Sequence, residues 1–198
     1  MQKYAMEMKI NVFSESVDIL NCDILTLGFF SDERPPRGNC GRVDWRLNGL
    51  ISHLIAKGKI EGAFMEKVLI APNHRIPSSK ILLIGLGDLV HLTYEKLYTA
   101  GHTISKTLSE IKSDNFAFDI PGIGKIDLDI SKMSRSLISG FFDFLAENSR
   151  LSKGPVSTSI LVEEDHLSEI ILGMRKFKSD FKSRAKIDIT KTKKSEHI

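Results

Sequence analysis

Ser31-Asp32-Glu33-Arg34-Pro35-Pro36-Arg37-Gly38-Asn39-Cys40-Gly41-Arg42-Val43 leads into Asp44-Trp45-Arg46-Leu47-Asn48-Gly49, and further on Lys80-Ile81-Leu82-Leu83-Ile84 runs into Gly85-Leu86-Gly87-Asp88. Pro35 and Pro36 fix φ and remove two backbone donors, so the first segment reads as a loop. Asp44 reads as the N-cap of the helix that follows, because its carboxylate can accept from the free N–H groups of the first turn. Leu47, Leu50, Ile51, Leu54 and Ile55 then fall on one face. Gly58 tolerates a left-handed backbone and suits the end of that helix. Gly49, inside it, costs up to about 1 kcal/mol against Ala, which suggests that another backbone packs closely there. The last segment is an apolar strand closed by a glycine turn.

Working outward, Lys9 to Phe13 alternates polar and apolar residues, the signature of a half-buried strand. Cys22 to Phe30 is more continuously apolar and fits a central strand covered on both faces. Lys67–Ala71 and Ile81–Ile84 read as two more buried strands, joined by a loop short enough for neighbours. Thr93 is a candidate N-cap, with Leu92 and Leu97 bracketing it as a hydrophobic staple. Leu97, Gly101, Ile104, Leu108 and Ile111 continue that helix. A strand over Asn115–Ile120 stops at Pro121-Gly122, and a helix from about Ser131 carries Leu137, Ile138, Phe141, Phe142 and Leu145 inward. Ser159 to Glu163 reads as the last strand, and Leu167, Ile170, Ile171, Met174 and Phe177 stripe a final helix. Strands alternating with helices predict an α/β protein, a three-layer α/β/α sandwich on a mixed, mostly parallel sheet. Residues 1–180 read as one domain. Residues 181–198 read as a flexible basic tail.

At 198 residues, 41% hydrophobic and 27% charged, the composition is that of an ordinary globular chain. A chain of this length can bury roughly 70% of its extended surface without a disulfide or metal. No apolar run reaches the ~20 residues of a membrane span. Met1 to Met8 carries no signal-peptide pattern. Two well-separated cysteines, Cys22 and Cys40, point to a reducing cytoplasm. The net charge of +3 is uneven: residues 173–198 hold nine Lys or Arg against three Asp or Glu, a net +6, which leaves the remainder near −3.

The run Phe30 to Gly38, then Gly41-Arg42-Val43-Asp44-Trp45-Arg46-Leu47-Asn48-Gly49, then Leu83-Ile84-Gly85-Leu86-Gly87, resembles the N-terminal domain of the M17 leucyl aminopeptidases. The resemblance is sharpest between about residues 24 and 88 and implies a macro-domain-like fold. It also implies that peptidase chemistry belongs to a separate C-terminal domain, where Asp, Glu and Lys side chains hold two metal ions around an Asn-Thr-Asp-Ala-Glu-Gly-Arg-like segment. No such segment occurs in these residues, so no catalytic residue and no cofactor carries over from the family.

Candidate chemistry is sparse. His53, His74, His91, His102, His166 and His197 show no metal-ligand spacing. Cys22 reads as a buried hydrophobe. Cys40, beside Arg37, Arg42 and a possible helix start, sits where a thiol pKa can fall, though no His partner is visible. Gly85-Leu86-Gly87-Asp88 reads first as a tight strand-to-helix connection and second as a phosphate cradle. Macro domains bind ADP-ribose, which supports the second reading. Arg34 and Arg37, with Gly38 and Asn39, form a second candidate anion site, and Arg42 and Arg46 lie close by. Asp32, Glu33 and Asp44 stand near enough in sequence to pair with these arginines instead. The basic tail, from Lys182 to Lys194, can touch nucleic acid phosphates non-specifically, and some M17 enzymes also bind DNA, but it lacks the aromatics that stack on bases.

Three functions follow as expectations. The first is a non-catalytic binding or assembly module acting through self-association or a partner protein. The second is a macro-like domain for a nucleotide or another phosphate-bearing ligand, and the third is an accessory subunit of an aminopeptidase.

Overall fold

The computed structural model describes residues 6–113, 115–148 and 155–192. Among them, seven strands form one sheet: β1 (Glu7–Phe13), β2 (Ile24–Phe29), β3 (Lys67–Ile70), β4 (Lys80–Gly85), β5 (Asn115–Asp119), β6 (Val156–Leu161) and β7 (Lys186–Lys191). The helices are α1 (Gly38–Arg46), α2 (Leu50–Ala56), α3 (Tyr94–Ile111), α4 (Ile130–Glu147) and α5 (Leu167–Phe181). Strand order is β3-β4-β2-β5-β6-β1-β7. β3 runs antiparallel to β4, and every other pairing is parallel.

Alternation along the inner strands divides their side chains between two cores. Ile10 and Val12 of β1, Leu82 and Ile84 of β4, and Phe116 and Phe118 of β5 join α3, α4 and α5. Leu25, Leu27 and Phe29 of β2, Ile81 and Leu83 of β4, and Ala117 of β5 join α1 and α2. The predicted α/β/α sandwich is therefore present, and a central strand buried on both faces explains its continuous apolar run. Thr93 caps α3 as expected, its Oγ1 accepting from the Lys96 N–H at 3.2 Å, with Leu92 and Leu97 both buried. α3 and α4 meet backbone to backbone. A Cβ added at Gly101 would lie 1.9 Å from the Leu137 carbonyl oxygen, and one at Gly140 would lie 1.9 Å from that of Tyr98.

The opening loop is shorter than expected. α1 begins at Gly38, because Cys40, Val43 and Leu47 bury one short stripe against the sheet despite the flanking glycines. Asp44 is consequently not the cap of its own helix. It lies in the last turn of α1, is 6% exposed, and caps the next helix: its Oδ1 accepts from the N–H groups of Ile51 at 2.7 Å and Ser52 at 3.1 Å. Gly49 also differs. It stands at the break between α1 and α2 with φ +73 and open space where a Cβ would go, so conformation rather than close packing requires it. Gly58, with φ +61, ends α2 as read from the sequence.

The flexible tail is the larger correction. Residues 186–191 form β7, which pairs in parallel with β1 from Glu7↔Lys186 to Val12↔Lys191. Ala185 and Ile187 are buried beneath it. Lys186-Ile187-Asp188-Ile189-Thr190 alternates, but its charged outer face hides that pattern in a lysine-rich stretch, as suits an edge strand. Lys193, Lys194 and His197, assigned to the same tail, lie outside the described residues.

Candidate functional site

Adjacent strands β2 and β5 send their outgoing connections to opposite faces of the sheet. β2 leads into α1 in one core, and β5 leads toward α4 in the other. In an open α/β sheet such a divergence leaves a crevice beyond the carboxyl ends of the strands. Here it is a cleft of about 150 Å³, bounded by Gly28 and Phe30 from β2 and its loop, the start of α1, the turn after β5, and the loop after β6.

Asp119, the last residue of β5, forms the floor. It is 8% exposed, and its Oδ1 accepts from the Gly28 N–H at 3.1 Å. Burial pushes its carboxyl up to about 7, against the pull of the Gly28 N–H, the Lys125 ammonium and the Asn39 side chain. The turn that follows carries Gly122 (φ +86) and Gly124 (φ +71), conformations that L side chains rarely adopt. Lys125 of this turn pairs with Glu33 across the cleft. On the rim, Glu163 is engaged by Arg42 at 2.9 Å. The Arg37 side chain is exposed and, among the described residues, has no hydrogen-bond or ion-pair partner. α1 begins beside it with no side-chain cap on its first N–H groups.

Of the candidates read from the sequence, Arg37, Gly38 and Asn39 line this cleft. Arg34 turns away and donates to the carbonyls of Phe30, Glu33 and Glu61. Gly85, Gly87 and Asp88 lie elsewhere, at the end of β4. The N–H groups of Gly85, Leu86 and Gly87 donate to the carbonyls of Glu66, Phe29 and Gly62 at 2.8, 3.0 and 2.8 Å. Asp88 accepts from Ser31, which together with nearby His91 holds its carboxyl below the usual range. Among the described residues the expected pairing of the loop arginines with the carboxylates of Asp32, Glu33 and Asp44 does not occur. Arg46 joins Asp18, Asp32 accepts from the Leu89 N–H at 2.9 Å, and Asp44 accepts from Ile51 and Ser52.

Asp119, Gly122, Lys125 and His166 were not foreseen as site residues. The glycine spacing Pro121-Gly122-Ile123-Gly124 directly after a strand was the available signal. Cys40 is 2% exposed, and burial, with Asp119 next, raises rather than lowers its thiol pKa. Burial likewise pushes Cys22 up to about 12. No group of three or more His, Cys, Asp or Glu side chains is arranged to hold a metal ion among the described residues.

The architecture is a macrodomain-like fold. The structure matches a macrodomain variant of Oceanobacillus iheyensis with a TM-score of 0.68 at 14% identity, over 86% of this chain and 92% of that one. It matches the Trypanosoma brucei macrodomain in complex with ADP-ribose at 0.65 and 15% identity, over 81% and 67%. A tomato leucine aminopeptidase variant matches at 0.64 and 19% identity, over 88% of this chain but 37% of that one. The model of the cytosol aminopeptidase family N-terminal domain matches residues 26–150, and the chain belongs to that family. A probable cytosol aminopeptidase of Cyanothece sp. is 26% identical over 99 residues, and one of Rippkaea orientalis 23% over 141 residues. The chain spans 20% and 28% of the length of these two relatives.

Proposed function

We propose that this domain is a non-catalytic binding module whose cleft takes a small phosphate-bearing ligand. The observation that carries the reading is the crevice where β2 and β5 diverge, with the guanidinium of Arg37, unpartnered among the described residues, on its rim. A planar guanidinium suits bidentate contact with phosphate oxygens, and the uncapped start of α1 adds N–H donors beside it. At about 150 Å³ the cleft is below the roughly 300–1,000 Å³ of drug-sized sites. It suits a phosphate group and its nearest neighbours better than a whole dinucleotide. The T. brucei macrodomain solved with ADP-ribose makes that compound the first to test.

ADP-ribose, ADP and inorganic phosphate titrated into the protein are expected to shift the backbone amides of Gly28, Gly38 and Gly122. Loss of one charge-assisted contact, worth about 1.5–3 kcal/mol, in Arg37→Ala should weaken binding roughly 10- to 100-fold. Binding that is indifferent to Arg37 would remove the cleft from consideration. Peptidase activity is not expected of these residues. Release of a leucyl chromophore by pure protein with added Mn²⁺ or Zn²⁺ would contradict a non-catalytic role.

A second reading, association with another protein or copy, is favoured by Trp45, which is 72% exposed on α1 with the Arg46 guanidinium 4.9 Å from its ring. Exposed Trp and Arg are the residue types that anchor interfaces. If the reading holds, light scattering after gel filtration shows an oligomer that Trp45→Ala dissociates.

A further inference from the structure

If the cleft takes phosphate, the reading on which this inference rests, its floor has to accommodate an anion. Lys125 is matched by Glu33 and Arg42 by Glu163, so Arg37 and Asp119 decide the local charge. With Asp119 protonated the cleft is net positive; with Asp119 ionised it is neutral, and a carboxylate faces any incoming anion. One shared proton removes that repulsion. Either Asp119 holds the proton and donates to the ligand, or the ligand holds it and donates to the carboxylate. Phosphate can supply such a proton near neutral pH, as can its monoesters, whose second pKa is about 6. Sulfate has none to supply.

We propose that the cleft selects its anion by this proton: it takes a phosphate group that shares one proton with Asp119, and it rejects sulfate whenever Asp119 is ionised. The groups that act on Asp119 are the Gly28 N–H from β2, the Asn39 side chain and the Cys40 thiol from α1, and Lys125 from the turn after β5. The other titratable or charged groups that line the same cleft are Glu33 from the loop after β2, Arg37 just before α1, and Glu163 and His166 from the loop after β6. Burial, not any one of these charges, is the main influence holding the proton on Asp119. Asn39 and the Gly28 N–H hold the carboxyl in the lining of the cleft.

The test titrates inorganic phosphate and inorganic sulfate separately into the full chain and into Asp119→Asn, at pH 6 and pH 8.5, followed by amide shifts at Gly28 and Gly122. A carboxyl titrating at about 7 is about 90% protonated at the lower pH and about 3% at the higher, so sulfate affinity should fall roughly thirtyfold. Phosphate affinity should change far less. In Asp119→Asn sulfate should bind equally at both pH values, to within about twofold. Calorimetry on the unmodified chain in two buffers of different ionisation enthalpy should show uptake of about one proton with sulfate at pH 8.5, which keeps the proposal testable if the variant does not fold. In His166→Gln the sulfate profile should persist, and its disappearance there would reassign the proton. Parallel pH profiles for the two anions in the unmodified chain would overturn the proton rule while leaving phosphate binding intact. Failure of both anions to bind would overturn both readings.

Discussion

At position 119, the end of β5, the chain places a carboxyl in the lining of the cleft. Folding raises its proton affinity from the ordinary 3.8 to about 7, chiefly by burial. Between those values the folded chain holds more proton than the unfolded one. Its stability therefore falls as pH rises through that window and levels off above it. Asp119→Asn removes this slope. Its gain in melting temperature over the parent is expected to be larger at pH 8 than at pH 5.5, by about 2–4 °C for each ~1 kcal/mol recovered, and scanning calorimetry at the two values checks this. An equal gain at both pH values would mean that the carboxyl is ionised throughout. Asp44 is a contrasting buried carboxyl. It accepts from two backbone N–H groups and the Ser52 hydroxyl, so its oxygens are satisfied within the fold and tie the junction of α1 and α2.

At the scale of elements, the α3–α4 crossing is a close backbone-to-backbone joint. Gly101 and Gly140 each put a backbone carbonyl of the opposing helix where a Cβ would stand. Gly140→Ala improves intrinsic helix propensity by about 1 kcal/mol, but it forces two rigid backbones apart, which costs about 1–3 kcal/mol or more. The net effect is expected to be a loss, seen as a lower urea midpoint with unchanged helical signal. A rise in the midpoint would show that the helices can separate freely.

The regular elements were legible from the sequence because burial on one or two faces imprints a period of its own, as in Lys9 to Phe13 and along α3. α1 was not, since Pro36, Gly38 and Gly41 interrupt a stripe of only three apolar residues. β7 was not, since four of its six residues are polar and its one fully buried side chain is Ile187. The cleft was half legible. Arg37, Gly38 and Asn39 stand together in the chain, whereas Asp119 and His166 reach the same place only because parallel strands bring their carboxyl ends to one edge.

At the scale of the whole molecule, the parallel sheet gathers the loops after β2, β5 and β6 on one edge, and the candidate cleft is a product of that topology rather than of any contiguous motif. The pairing of β1 with β7 has a different consequence. The first and last strands lie side by side and point the same way, joined from Glu7↔Lys186 to Val12↔Lys191. Tension applied between Met6 and Thr192 therefore slides one strand along the other and loads the rungs between them together, instead of peeling them off singly. Stretched in a force spectrometer by these two points, the molecule should yield in one abrupt high-force step. Stretched by two points that draw β3 sideways from β4, the same fold should open gradually and at lower load.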